Sequence, residues 1–180
     1  MKMKRISDEM ERLLNTQMTT EAYQAQVYLS YASWAEVNSF AGIAKFLYGH
    51  MNEEREHMFK ILKYINDRGG EAKIEAIKAP PANPANIGDC LNKILQQEIE
   101  NSTKIDEIVN FALAEKDWAT FNFGQWFVKE QIEEEALINE VIDKYNLAST
   151  VTEGNRSLYE MDRDMAGHSQ EGTLPQEEEI

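Results

Sequence analysis

A chain of 180 residues is long enough for one domain with a proper core. Its formal net charge of −14 argues against nucleic acid, whose phosphates it would repel, and suits a protein that attracts cations. One cysteine, Cys90, excludes an intrachain disulfide framework and a Cys-x-x-Cys metal site. No apolar run approaches membrane-spanning length, and Met1-Lys2-Met3-Lys4-Arg5 leads into Ile6-Ser7-Asp8-Glu9-Met10-Glu11, not an apolar stretch. Neither a membrane span nor a signal peptide is expected, and a reducing cytoplasm is the expected compartment.

The first helix is expected over residues 6–38. Asn38-Ser39-Phe40-Ala41-Gly42 is a short turn, so a second helix over 42–69 should return antiparallel to the first. Arg68-Gly69-Gly70 ends it, glycine being favoured just past a helix end. Glu71 to Asn86 holds Pro80, Pro81 and Pro84 and cannot be regular helix. At about 3.3 Å per extended residue this segment can span a bundle. A third helix over 87–115 would then start at the far end, and barely a turn separates it from a fourth over 118–146. The expected fold is all-α, a four-helix bundle with one long crossover of the ferritin-like kind and a short fifth helix, Ser157 to Met165. Residues 1–166 form the expected domain. From Gly167 to Ile180 the chain has too little apolar content to fold and is expected to be an acidic, disordered tail.

Each helix carries an apolar seam in steps of three and four, and each seam is interrupted by charge. The first reads Leu14, Met18, Glu21, Ala25, Tyr28, Ala32; the second Ile43, Leu47, His50, Glu54, His57, Ile61. The third reads Ile87, Leu91, Ile94, Glu98, Asn101, Ile105, Ile108, and the fourth Gly124, Phe127, Gln131, Glu134, Ile138, Val141. A seam glutamate ordinarily sits near a helix end and snorkels to solvent. Glu21, Glu54, Glu98 and Glu134 instead fall near the middle of their helices, so they should converge at one level with His57, which shares a face with Glu54 at i, i+3. Each ionised carboxylate in a core costs several kcal/mol unless a cation sits against it. Two divalent cations would neutralise four, which is the charge arithmetic of a di-iron carboxylate site. His50 alone reads as a hydrogen-bonded core histidine. Glu130, Glu133 and Glu134 form one helical patch at i, i+3, i+4, and glutamate runs are ordinarily solvated faces.

Three stretches carry a resemblance to the bacterial non-haem ferritins: Gln17-Met18-Thr19-Thr20-Glu21-Ala22-Tyr23, Glu53-Glu54-Arg55-Glu56-His57-Met58, and Phe121 through Glu135. The similarity runs from about Arg12 to Ala166. It implies a ferroxidase centre in which Glu21, Glu54 and His57 hold one iron. Glu54 would bridge to a second iron held by Glu98 and Glu134, with Gln131 close by and Tyr28 beside the centre. It further implies a third iron at Glu53, Glu130, Glu133 and Glu134, and Trp126 as an electron source. The family builds shells of 24 identical subunits that oxidise Fe(II) with O2 or peroxide and store a ferric mineral.

The pattern departs from related families. Bacterioferritin carries a second Glu-x-x-His, where this chain has Glu134-Glu135-Ala136-Leu137. Met51 and Met58 read as packing residues, so no haem is expected. A rubrerythrin-like peroxidase would add a cysteine-rich domain that Cys90 alone cannot supply. The non-catalytic alternative is a shell subunit that only houses mineral.

Overall fold

In a computed structural model, which describes residues 3–150 and 154–168, five helices follow one another: α1 (Asp8–Val37), α2 (Ala41–Asp67), α3 (Ile87–Glu115), α4 (Trp118–Ser149) and α5 (Gly154–His168). There is no strand among the described residues. Helix starts are set by short polar side chains. Ser7 accepts a hydrogen bond from Met10 N, Asn86 from Asp89 N and Asp117 from Thr120 N, each satisfying an otherwise orphaned donor of the first turn. At the end of α2, Gly69 takes φ +79°, as its place just past the helix predicts. The turn between α3 and α4 uses no glycine: Lys116 itself adopts φ 57° and Asp117 at once caps the next helix. α4 runs to Ser149 and not 146, because Leu147-Ala148-Ser149 contains nothing that breaks a helix. α5 is three residues longer at each end than expected and takes in Gly167 and His168.

The end-to-end crossover is fixed by contacts where it begins. The Arg68 guanidinium, just past α2, reaches Asp117 in the α3–α4 turn at 3.2 Å. α2 and α3 therefore finish at the same end and run parallel, with residues 70–86 carrying the chain back. Asn15 on α1 tethers the start of that segment, donating to Glu71 O at 3.0 Å and accepting from Lys73 N at 2.7 Å. The core consequently has two halves. One joins the end of α1 to the starts of α2 and α3 through Tyr28, Ala32, Ile43, Leu47, Leu91 and Ile138. The other joins Met10, Leu14, Met18, Ile61, Ile65, Ile105 and Phe127. Met51 packs against the first half and Met58 against the second. A buried polar layer lies between them.

α5 docks on α2 and α4, burying Met161 and Met165. It also supplies the cap that α2 lacks. Phe40 at the start of α2 offers no capping group, and the Asp162 carboxylate of α5 accepts from Gly42 N at 3.1 Å and Ile43 N at 2.9 Å. A negative charge there also complements the helix dipole. Gly42 permits the approach, since a Cβ at that position would overlap the Asp162 carbonyl. Gly42→Ala should therefore lower stability by about 1–3 kcal/mol, the usual scale of overpacking, and expose α5 to proteolysis. Thermal unfolding with limited proteolysis checks this, and an unchanged digestion pattern would contradict the docking.

Candidate metal centre

The polar layer is built by the seams. On α1 the buried run Gln17, Glu21, Gln24, Tyr28 occupies successive steps of one face; on α2 it is His50, Glu54, His57; on α3 Glu98 and Asn101; on α4 Gln131 and Glu134. Glu21 and Glu98 are wholly enclosed, and Glu54, His57 and Glu134 nearly so. The structure thus brings Glu21, Glu54, His57, Glu98, Gln131, Glu134 and Tyr28 into one layer at mid-height.

Within it, Glu21, Glu54 and His57 each offer a ligand-type atom, all lying within 4.8 Å of one another. His57 Nδ1 stands 3.6 Å from Glu54 Oε2 and 3.7 Å from Glu21 Oε2. Ligands held at about 2.1 Å from one ion are themselves roughly 3–3.5 Å apart, so this spacing nearly fits a shared cation. Both Oε2 atoms are buried without a hydrogen bond, and a buried acceptor left in that state costs free energy that a cation would recover. The other oxygen of Glu21 is held by Gln17, and Asn101 stands 3.5 Å from it.

Across the layer, Glu98 accepts from Tyr28 Oη at 2.7 Å, from Gln131 Nε2 at 3.2 Å and from Gln24 Nε2 at 3.5 Å. Trp126 meets His57 edge-on at 5.4 Å, and Lys60 Nζ lies 3.8 Å from the Trp126 ring centre.

Electrostatics show how crowded the layer is without a cation. Burial, then the Glu21 and Glu98 charges, push the Glu54 carboxyl far above its usual range. Burial, reinforced by the Glu134 charge, raises Glu98 to about 7. Burial also acts to raise Glu21, but the neighbouring His57 and Glu54 outweigh it and leave that group lowered. His57 is disfavoured as a cation by burial, yet Glu21 and Glu54 more than compensate and raise it. The layer therefore holds protons where it could hold metal.

Of the four glutamates of the expected third site, Glu130 feels the charges of Glu53, Glu133 and Glu134, while their ion-pair partners differ. Glu133 is exposed and pairs with Lys129 at 3.4 Å along α4. Glu130 is half-buried; burial raises its carboxyl, and the charges of Glu134, Glu133 and Glu53 add to the rise. Glu53 and Glu134 instead both approach His50, whose Nδ1 is 3.1 Å from an oxygen of each. His50 is thus no ordinary hydrogen-bonded core histidine, since Nδ1 has no aligned hydrogen bond. Burial works against its charged form, but Glu134 and Glu53 outweigh burial and lift it to about 10. A signal existed in the sequence: His50 and Glu53 repeat, in reverse order, the i, i+3 spacing of Glu54 and His57. Gln17 and Gln24, which hold the carboxylates, were also not singled out.

A bundle with one end-to-end crossover, and a buried carboxylate–imidazole group that fits a di-iron site, defines the ferritin-like class of all-α proteins. The Ferritin-like domain model matches residues 11–148, and the chain belongs to that family. A probable bacterial non-heme ferritin-like protein of Haemophilus influenzae is 37% identical over 164 residues, covering 91% of this chain and 98% of its own. The bacterial non-heme ferritin of Campylobacter jejuni is 37% identical over 158 residues, 88% of this chain and 93% of its own. Among solved structures, an open pore ferritin from the archaeon Archaeoglobus fulgidus superposes with a TM-score of 0.86 at 33% identity, covering 91% of this chain and 98% of its own. Among the described residues no helix is long and apolar enough to cross a membrane.

Proposed function

We propose that the protein stores iron by oxidising Fe(II) with O2 or peroxide at the mid-bundle layer and depositing the ferric product inside a shell of identical subunits. The observation that carries this reading is the buried, hydrogen-bond-free pair of Glu21 and Glu54 oxygens facing His57. Carboxylates with one imidazole suit iron and tolerate zinc or manganese. Glu21, Glu54 and His57 would receive one Fe(II); Glu54, Glu98 and Glu134 would receive the second, with Gln131 and Tyr28 positioning Glu98. Each Fe(II) gives up one electron, so a pair reduces O2 to peroxide with uptake of two protons. Hydrolysis of the Fe(III) product then releases protons. Glu54 and Glu98, whose carboxyls hold protons in the metal-free layer, give them up as iron enters. Met51 and Met58 pack against the two halves of the core, no haem is proposed, and Fe is the substrate and cargo.

Exposed Val37, Ile74, Trp118 and Leu147 would find partners in a homo-oligomer, for which the family pattern is 24 subunits. Sedimentation velocity tests the assembly. Stopped-flow absorbance after mixing apoprotein with Fe(II) and O2 tests the activity: a fast phase saturating at two Fe(II) per subunit supports an enzyme. Slow oxidation that scales only with the core supports a shell subunit without ferroxidase activity.

Residues 1–166 are proposed as the functional domain, with 167–180 as an acidic appendage; all of that stretch beyond His168 lies outside the described residues. Deleting residues 167–180 should leave the fast phase unchanged, because every proposed ligand lies on α1–α4. A slower fast phase in the truncated protein would contradict the assignment. If the tails face the cavity, their glutamates add nucleating carboxylates, and truncation lengthens only the slow growth of mineral.

A further inference from the structure

We propose that the cavity between α3 and α4 is the passage by which hydrogen peroxide reaches the second iron position, with Gln131 as its gate. This deepens the storage reading and rests on it. The cavity has a volume of about 290 Å³ and is walled by Ser102, Ile105 and Asp106 of α3 and by Val128 and Glu135 of α4. Its mouth lies at the surface, where Asp106 is exposed and Ile132 is 66% exposed. Its floor is Gln131, which is only 4% exposed.

Beyond that floor stands Glu98. Gln131 Nε2 lies 3.2 Å from Glu98 Oε2, 3.2 Å from Glu98 O and 3.4 Å from Ser102 Oγ. One amide therefore separates the cavity from a carboxylate proposed to hold iron. On its other side Glu98 is closed off by Tyr28 and Gln24, both buried. A molecule of a few atoms in the cavity needs one side-chain rotation, and no opening of the bundle, to touch the layer. The hydrogen bonds that this rotation breaks are at the long end of the usual range.

The lining selects what can pass. Ser102 Oγ donates to Glu135 and accepts from Gln131, a short polar chain along the cavity. Peroxide carries an O–H donor and lone pairs on each oxygen, so it can exchange one of these bonds for another. Dioxygen has no hydrogen to donate. Fe(II) meets the donor end of the Gln131 amide. Among the described residues, neither Asp106 nor Glu135 belongs to a group of three ligand-type side chains close enough to share an ion. On arrival the O–O bond breaks: each of two Fe(II) gives one electron, and with two protons from solvent the peroxide leaves as two waters.

The rival account is a solvent-filled cleft that leads nowhere. Loading the protein anaerobically with two Fe(II) per subunit takes iron entry out of the experiment, and stopped-flow mixing with rising H2O2 then reads the arrival of oxidant. Val128→Phe fills the cavity without touching a proposed ligand. It should lower the second-order constant by about 10-fold, within the roughly one to three decades over which association rates differ among variants of one site. The rate at saturating peroxide should not change. A second plug does not depend on how Val128→Phe folds. Ile132→Cys, labelled at the rim with a bulky maleimide on the folded protein, should show the same loss relative to its unlabelled form, Cys90 being wholly buried. An unchanged constant in both plugged proteins overturns the inference. So does an equal fall at saturating peroxide, which marks damage to the centre itself. If O2 oxidises the wild type rapidly and peroxide does not, the passage fails and the storage reading stands; if neither gives a fast phase, the storage reading itself fails.

Discussion

Replacing Glu54 by alanine should abolish the fast phase of Fe(II) oxidation, a loss of more than about 100-fold, since even outer partners of metal ligands cost 10–100-fold when removed. Glu54 stands against His57 and Glu21 on one side and feels the charge of Glu98 on the other. Stopped-flow absorbance reads the effect, and a rapid phase surviving in Glu54→Ala would show that the centre lies elsewhere. The same substitution should leave the metal-free bundle no less stable at pH 7. The Glu54 carboxyl is raised far above 4.5 in the folded chain. From the unfolded value upward the native state therefore holds a proton that the unfolded state has lost, and stability falls as pH rises. Alanine removes that penalty. Below pH 4.5 both states are protonated and the advantage vanishes, leaving only the cost of the small cavity.

Zn(II) should raise the melting temperature of the apoprotein strongly at pH 7–8 and weakly near pH 5. A ligand at 1,000 times its dissociation constant stabilises the folded state by about 4 kcal/mol. For a domain of this size that is roughly 8–16 °C, at 2–4 °C per kcal/mol. The pH dependence follows from the protons already in the layer. Glu98 titrates at about 7, and Glu54 and His57 are raised above their ordinary values. Metal must displace these protons, so binding weakens as pH falls and releases protons at neutral pH. Scanning calorimetry at several pH values checks the stabilisation, and titration in buffers of different ionisation enthalpy counts the protons. An unchanged melting temperature at pH 8 would sink the idea of a preformed centre.

Much of this arrangement was legible in the sequence because charge in an apolar register is costly enough to demand a cause. Glu21, Glu54, Glu98 and Glu134 each broke a seam at mid-helix, and the structure encloses all four. The crossover was legible for a similar reason: three prolines between two glycines and Asn86 left no regular alternative. Residues whose roles depend on a partner far along the chain were not legible. Ser39, just before α2, sits at φ 65°, and the cap of that helix comes from Asp162. Gln17 and Gln24 read as ordinary helix residues, because only the neighbouring helices turn them into clamps on the carboxylates. Glu133 and Glu134 are adjacent in sequence, but one helical step of about 100° sends one to solvent and the other into the layer.

The Asp162 cap gives the molecule a direction in time. The donors of Gly42 wait for an acceptor 120 residues further on. At a synthesis rate of about 5–20 residues per second, the first turn of α2 stays uncapped for roughly 6–24 s after it is made. During that interval α1 and α2 can pair and the crossover can be laid down, with the polar layer half assembled and one helix end still frayed. Only when the last helix leaves the ribosome is that end closed. A chain cut short before α5 would retain the residues of the layer on its four helices, but would leave the Gly42 and Ile43 donors without their Asp162 acceptor.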